Sequence, residues 1–366
     1  MTIAHLVAYY PPHLGGMENV AYTLAEATSR RGRDVEVITS DQGAGDAPRL
    51  DRHGNLVVRR LRSLEIAHTP ITWGVVYRLA RLPRRSLVHV HVSQVGFPEA
   101  AIAVAKFRSH TTVAHFHLDV PPSGPLGRLF TLYKRTLFGA VMRRMDRVIA
   151  LSNDQRELLV TRYGVERHRV DVVHNAPDPS FVRTRPYGPS PDRLRVLYVG
   201  RLSAQKHVDR VIDSFARLAV PAELSIVGDG ELRDELERRA AASGAADRIT
   251  FHGAKSGAAL REAYERADVL VMTSDVEGWS LVLLEAMAMG VPIVATDVLG
   301  NHEMIDGTGV LIEEPYVDNL ATALADLAGD RNRLRSLSAA SVRRARDFSA
   351  ETVLDQLFTI YEKAAG

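Results

Sequence analysis

Short runs of Val, Ile and Leu alternate along the chain with longer stretches in which apolar residues recur at helical spacing. The runs occupy residues 3–8, 35–39, 87–92, 111–116, 147–151 and 170–173 in the first half, and 194–199, 223–227, 249–251, 269–273, 292–295 and 310–312 in the second. Helical patterns intervene near 16–31, 72–82, 98–107, 126–144 and 154–163, and the second half repeats the scheme. Apolar runs without polar alternation suit strands buried on both faces. Strands that alternate with helices predict parallel, doubly wound sheets. The segment RTRPYGPSPD at 183–192 holds too much Pro and Gly for helix or strand and is the expected linker. The fold class expected is therefore α/β, with two Rossmann-like domains at 1–188 and 189–347 and a C-terminal helix at 348–366.

Charge sharpens this division. Residues 1–190 carry 26 Lys and Arg against 16 Asp and Glu, a balance of +10, whereas residues 191–366 carry 20 against 28, a balance of −8. Opposite balances imply different partners for the two halves. The basic excess is concentrated at 126–147, where Arg128, Lys134, Arg135, Arg143, Arg144 and Arg147 flank apolar Leu126, Leu129, Phe130, Tyr133, Leu137 and Val141. That pattern reads as a solvated helix or as a surface for anionic lipid or a phosphorylated acceptor. With no cysteine there is neither a disulfide framework nor a Cys-ligated zinc. No apolar run approaches the roughly 18 residues of a membrane span. The chain enters a strand without a signal-peptide flank, so the cytoplasm is the expected compartment, with the basic half available to an anionic membrane face.

Chemistry is concentrated in SDVEGWSLVLLEAMAMGVPIV at 274–294. An apolar strand precedes it, Gly278-Trp279-Ser280 makes a turn, Ser280 can cap a helix that starts at Leu281, and Gly290 stops that helix. Glu277 then sits in the loop at the strand's carboxyl end, and Glu285 about one turn inside the helix. Open α/β sheets bind ligands at that edge. Alone, two glutamates near a helix start are more simply dipole-complementing surface residues. Other stretches strengthen the case. Arg201 and Lys206 follow the strand at 194–199, and Gly200, Gly228 and Gly230 lie at strand ends where backbone can approach phosphate. Gly15 and Gly16 open the first helix. They are not part of a Walker loop or a GxGxxG fingerprint. His89 and His91, then His115 and His117, pair on strand faces. Zinc is conceivable there, but no HExxH-type motif accompanies them, and His117, followed by Asp119, reads better as a hydrogen-bonding group at the ligand edge.

The ordered set GG (15–16), FH (116–117), VGRLSAQK (199–206), VGDG (227–230) and EGWSLVLLEAMAMGVPIVA (277–295) resembles the family 4 retaining glycosyltransferases of GT-B fold. The resemblance covers nearly the whole chain, including a last helix (348–361) that in the family crosses back to the first domain. It implies two Rossmann-like domains facing a cleft, an acceptor-binding first domain and a nucleotide-sugar-binding second one. It implies that Arg201 and Lys206 bind the donor diphosphate, helped by amides at Gly15, Gly16 and after Gly278. Glu285 would then accept from the ribose hydroxyls, Glu277 would address the donor sugar, and His117 would line the sugar from the first domain. Gly200, Gly228, Gly230, Gly278, Trp279, Ser280 and Leu281 complete the implied donor site. Two departures are Trp279-Ser280, where Phe-Gly or Phe-Pro is common, and HNAPD (174–178), where Asn-Gly is usual. The first alters the loop beside the sugar.

The implied partners are a UDP- or GDP-sugar donor and a hydroxyl acceptor in glycan, glycolipid or natural-product synthesis. Neither cofactor nor metal is expected, and no DxD motif is present. The implied reaction is front-face transfer with retention. Two other readings remain: a GT-B nucleotide-sugar epimerase, and a non-catalytic binder of nucleic acid or another anion through the basic half. The second lacks a basic motif interleaved with aromatics, so no nucleic acid is expected.

Overall fold

The computed structural model describes residues 1–13, 15–66, 69–92, 96–117 and 132–365. The chain forms two compact units, Met1–Asn175 together with Glu351–Gly366, and Ala176–Ala350.

Unit 1 is built on an eight-stranded sheet. In chain order its strands are β1 (Ile3–Leu6), β2 (Val35–Ser40), β3 (Leu50–His53), β4 (Leu56–Leu61), then, beyond a separate hairpin of β5 (Ser63–Ile66) and β6 (Thr69–Thr72), β7 (Leu87–Val92), β8 (Thr111–Phe116), β9 (Arg147–Ala150) and β10 (Val170–Val172). The spatial order is β10-β9-β8-β7-β1-β2-β4-β3, parallel except for β3 against β4. Residues two apart share a face. Ala4, Leu6, Val88, Val90, Ala114 and Phe116 enter one apolar core with Val104, Met142 and Leu159. The alternate positions, His5, His89, His91 and His115, are also buried. The helix Ala350–Ala365 buries Val353, Leu354, Leu357, Ile360 and Tyr361, one stripe at helical spacing, and its Tyr361 hydroxyl lies 2.6 Å from Nδ1 of His89.

Unit 2 is a six-stranded, wholly parallel sheet of β11 (Leu194–Val199), β12 (Ala222–Val227), β13 (Ile249–Phe251), β14 (Val269–Met272), β15 (Ile293–Thr296) and β16 (Val310–Ile312). Its order is β13-β12-β11-β14-β15-β16, with helices between successive strands. The direction of winding reverses between β11 and β14. At such a switch point two loops diverge and leave a crevice for a ligand.

The expected strands at 87–92, 111–116 and 194–199 are observed with the same bounds. The β3–β4 hairpin was not expected, because Arg59 and Arg60 interrupt the apolar pattern. Both are partnered: Arg59 Nε donates to Glu36 Oε1 at 2.9 Å, and Arg60 donates to the Pro11 and Pro48 carbonyls. The expected helix at 126–144 is described only from residue 132, so Leu126, Arg128, Leu129 and Phe130 lie outside the described residues, as does Asp119. A π turn at Lys134–Phe138 precedes the helix Gly139–Met142. Its wider turn brings Phe138 and Met142 to the buried face alongside Val141, which is buried as expected, while Leu137 is 50% exposed. The two compact units divide after Asn175, and the 183–192 segment packs within unit 2. Arg183 donates to the Met289 carbonyl at 2.7 Å, the Tyr187 hydroxyl to the Asp268 carbonyl at 2.7 Å, and the Ser190 amide to Asp268 Oδ1 at 3.0 Å. Pro and Gly exclude regular structure there, but they do not prevent these side chains from tying the segment to unit 2. Among the described residues, no helix is long and apolar enough to cross a membrane.

Candidate active site

At the switch point of unit 2, the turn after β11 meets the loop after β14. Lys206 Nζ lies 2.5 Å from Glu277 Oε1. Both side chains are largely withdrawn from solvent, at 25% and 10% exposure. Two residues expected to act separately are thus one ion pair. A set of residues not singled out from the sequence holds it. The Thr273 hydroxyl donates to the carbonyls of Lys206 and His207, Gln205 Nε2 donates to the Val276 carbonyl, and the Asp275 amide donates to the Gln205 carbonyl. His207 adopts a left-handed conformation at φ 46° and reaches Asp275 Oδ2 at 2.6 Å, while Arg210 donates to Asp275 Oδ1 at 2.8 Å. Burial pushes the Asp275 carboxyl up, but Arg210 and His207 outweigh it and hold the group below its ordinary range. A non-glycine residue with positive φ beside a charged pair is a local signal of such a site, though it is invisible without coordinates.

Arg201 does not join this pair. Its side chain is 74% exposed and sits 3.8 Å from Glu231. The glycines nearby serve a different need from the one expected of them. The amides of Gly200, Gly228 and Gly230 donate to Val227, Gly253 and the Asp229 side chain respectively, so they are engaged within the protein. A Cβ on Gly228 would stand 1.8 Å from the Gly200 carbonyl oxygen, and one on Gly230 2.4 Å from that of Leu202. These glycines let the loops after β11 and β12 touch backbone to backbone. Gly228→Ala should therefore cost about 3 kcal/mol or more, because rigid backbone faces the added methyl and φ is +148°. Urea unfolding of unit 2 would measure this, and a loss under 1 kcal/mol would refute the packing argument.

The helix Leu281–Ala288 starts as expected, with the Ser280 hydroxyl accepting from the Leu283 amide at 3.4 Å. Trp279 is buried and packs edge-on against Phe348, ring centroids 5.3 Å apart, so it anchors the turn after Gly278. Gly300 approaches that turn closely, and a Cβ there would meet the Gly278 carbonyl oxygen at 2.3 Å. Glu285 accepts from the hydroxyl of fully buried Tyr264 at 2.8 Å. Burial, with a smaller contribution from nearby Asp178, pushes the Glu285 carboxyl from an ordinary 4.5 up to about 7, against the opposing pull of the Tyr264 bond. Pairs of carboxylates with separated environments mark functional sites, and here Glu277 has a cation while Glu285 has none among the described residues.

In unit 1, Gly15 and Gly16 lead into the helix Gly16–Arg30. The carboxylate of Glu18 folds back over Gly15, where a Cβ would stand 2.1 Å from Glu18 Oε2, whereas Gly16 has open space around it. An internal anion thus lies beside the helix N-terminus expected to receive a phosphate. His117 directly follows β8, and its backbone is fixed by Gln155, whose Nε2 donates to the His117 carbonyl at 3.2 Å. The expected histidine pairs are present, joined by His5 from β1. Two sets, His5/His89/His91 and His91/His115/His117, bring ring nitrogens within 4.8 Å of one another. His5 was not legible because it lies 86 residues from its partner His91.

Residues 14–181 match the model of the Glycosyltransferase Family 4 domain, and residues 184–344 that of Glycosyl transferases group 1. A GDP-mannose-dependent alpha-mannosyltransferase of Mycobacterium tuberculosis is 30% identical, over all of this chain and 97% of that one. A D-inositol 3-phosphate glycosyltransferase of Nocardia farcinica is 32% identical, over 96% of this chain and 85% of that one. The chain belongs to the family 4 glycosyltransferases. The fold of this glycosyltransferase agrees. Anabaena HepE, solved in complex with UDP-glucose, superposes with a TM-score of 0.79 over 99% of both chains at 19% identity. In this glycosyltransferase Gly15, Gly16 and His117 fall in the first matched region, and Arg201, Lys206, Glu277 and Glu285 in the second.

Proposed function

We propose that this glycosyltransferase moves a hexosyl group from a UDP- or GDP-sugar to a hydroxyl acceptor, with retention at the anomeric carbon and without a metal. The observation that carries this reading is the Lys206–Glu277 pair at the switch point of unit 2, with Glu285 buried behind a capped helix start. Breakage of the anomeric C–O bond sends its electrons to the departing diphosphate and leaves positive charge on the sugar ring. Lys206 and the amides at Leu281 answer the first charge. The acceptor oxygen bonds the anomeric carbon on the same face, and its proton passes to the leaving phosphate oxygen. Diphosphate replaces Glu277 as the partner of Lys206, and Glu277 turns to hydroxyls of the donor sugar. Arg201, exposed and held by one long ion pair, takes the same diphosphate. Glu285 accepts from the ribose, and His117 hydrogen-bonds the donor sugar. The relative named for GDP-mannose and the HepE complex with UDP-glucose support a nucleotide-sugar donor and leave the base to experiment.

Calorimetric titration of UDP and GDP in EDTA decides the donor site. One nucleotide should bind in the micromolar range, and Glu285→Ala should weaken it by about 1–3 kcal/mol, as for a lost charged hydrogen bond. Absence of binding by both, with folded protein, would sink the ribose assignment. Turnover of the donor to an epimer without acceptor would point to the epimerase instead.

A further inference from the structure

Five imidazoles lie buried side by side in unit 1, from His5, His89, His91, His115 and His117. The proposed chemistry uses only the last. Three of them form a continuous chain. Nδ1 of His5 is 3.1 Å from Nε2 of His91, and Nδ1 of His91 is 3.0 Å from Nε2 of His117. The rings of these pairs lie within 25° and 17° of parallel, with centroids 5.4 and 5.2 Å apart. Those separations match two ring radii added to the N···N distance, so each pair meets edge to edge along the line joining the rings. Ligands that share a tetrahedral ion would meet at a bend, with their lone pairs converging off that line. This is the geometry of imidazoles hydrogen-bonded to one another.

Burial pushes His5 down to about 4 and His117 to about 3, and His91 is also lowered, so all three rings are neutral near pH 7. A neutral imidazole carries one N–H and one bare nitrogen. Both nitrogens of His91 are engaged, so the chain has only two self-consistent registers. In one, Nδ1 is protonated in all three rings, and His117 offers an N–H from its remaining nitrogen. In the other, Nε2 is protonated throughout, and His117 offers a lone pair. The far end of the chain, Nε2 of His5, is buried with no partner among the described residues. That end is an unpartnered N–H in the register with Nε2 protonated and an unpartnered lone pair in the other, so the two registers differ in energy and one prevails.

We propose that His5 and His91 are positioning residues that lock His117 in a single tautomer, and so decide whether it donates to or accepts from the hydroxyl it meets. The consequence for the donor sugar rests on the role assigned to His117 above, but the lock itself does not. Long-range proton–nitrogen correlation spectra of the full-length, ¹⁵N-labelled, EDTA-treated protein near pH 7 read each tautomer directly. His5, His91 and His117 should each show one tautomer, with the same nitrogen protonated in all three. Unlike tautomers in neighbouring rings, or a mixture at His117, would overturn the proposal. So would a tightly bound transition metal whose removal shifts these signals. His5→Leu, two rings away from His117, should turn its single tautomer into a mixture and lower the preference for an NDP-sugar over the bare NDP by about tenfold. A mixture with an unchanged preference keeps the lock and removes His117 from the sugar. A reduced preference with an unmoved tautomer refutes the lock.

Discussion

Replacing Lys206 with methionine should slow sugar transfer at saturating donor by two to three orders of magnitude, about 3–4 kcal/mol of lost leaving-group stabilisation. The methionine keeps an unbranched chain as far as the ε position and removes the terminal ammonium. Its effect is doubled in kind, because Glu277, 2.5 Å away and mostly withdrawn from solvent, then carries an uncompensated charge. Stability should fall as well, by about 1–3 kcal/mol, less than for a fully buried pair because Lys206 keeps partial access to water. Lys206→Met/Glu277→Gln should recover that stability and none of the rate. This separates the two roles of the pair, since stability depends on mutual neutralisation and transfer depends on the cation. Single-turnover rates and urea melts on the single and double variants would measure both. A single variant within threefold of the parent rate would remove Lys206 from the chemistry.

Glu285→Gln should make the protein more stable and its nucleotide affinity worse, each in a pH-dependent way. Burial holds the folded-state carboxyl up at about 7, above its ordinary 4.5. The folded state therefore binds more protons than the unfolded one between those values, and stability falls as pH rises through that window. The penalty is fully present above about pH 7 and absent below about pH 4.5. Glutamine keeps an acceptor for the Tyr264 hydroxyl and never ionises. The variant should match the parent in melting temperature near pH 4.5 and exceed it at pH 8 by an amount equivalent to ~1–3 kcal/mol. Nucleotide affinity should show the opposite pattern. The parent should gain affinity as pH rises through 7 and Glu285 becomes a carboxylate, while the variant stays flat. Equal melting temperatures at pH 8 would mean that Glu285 ionises without penalty.

The alternation of apolar runs and helical stripes was enough to place two parallel α/β units, because strands buried on both faces leave a local, contiguous signature. The strands at 87–92, 111–116 and 194–199, the Ser280 cap and the position of Glu285 in the first turns of its helix were all legible for the same reason. They depend on neighbours in the chain. The β3–β4 hairpin was hidden by arginines whose partners, Glu36, Pro11 and Pro48, are distant. The shifted face after Lys134 was hidden by a π turn that no composition announces.

The sequence by itself therefore determined the fold class, the family resemblance and the residue types of the candidate site. Tertiary structure alone decided how those residues pair. Lys206 and Glu277 are 71 positions apart and meet only because β11 and β14 are neighbours at the switch point. His5 joins His91 across 86 residues only because β1 lies beside β7. Gly228 and Gly230 prove to be packing glycines because the loop after β12 rests on the loop after β11. Periodicity reports which way a side chain faces. What it faces is set by strand order, and strand order is a property of the whole sheet.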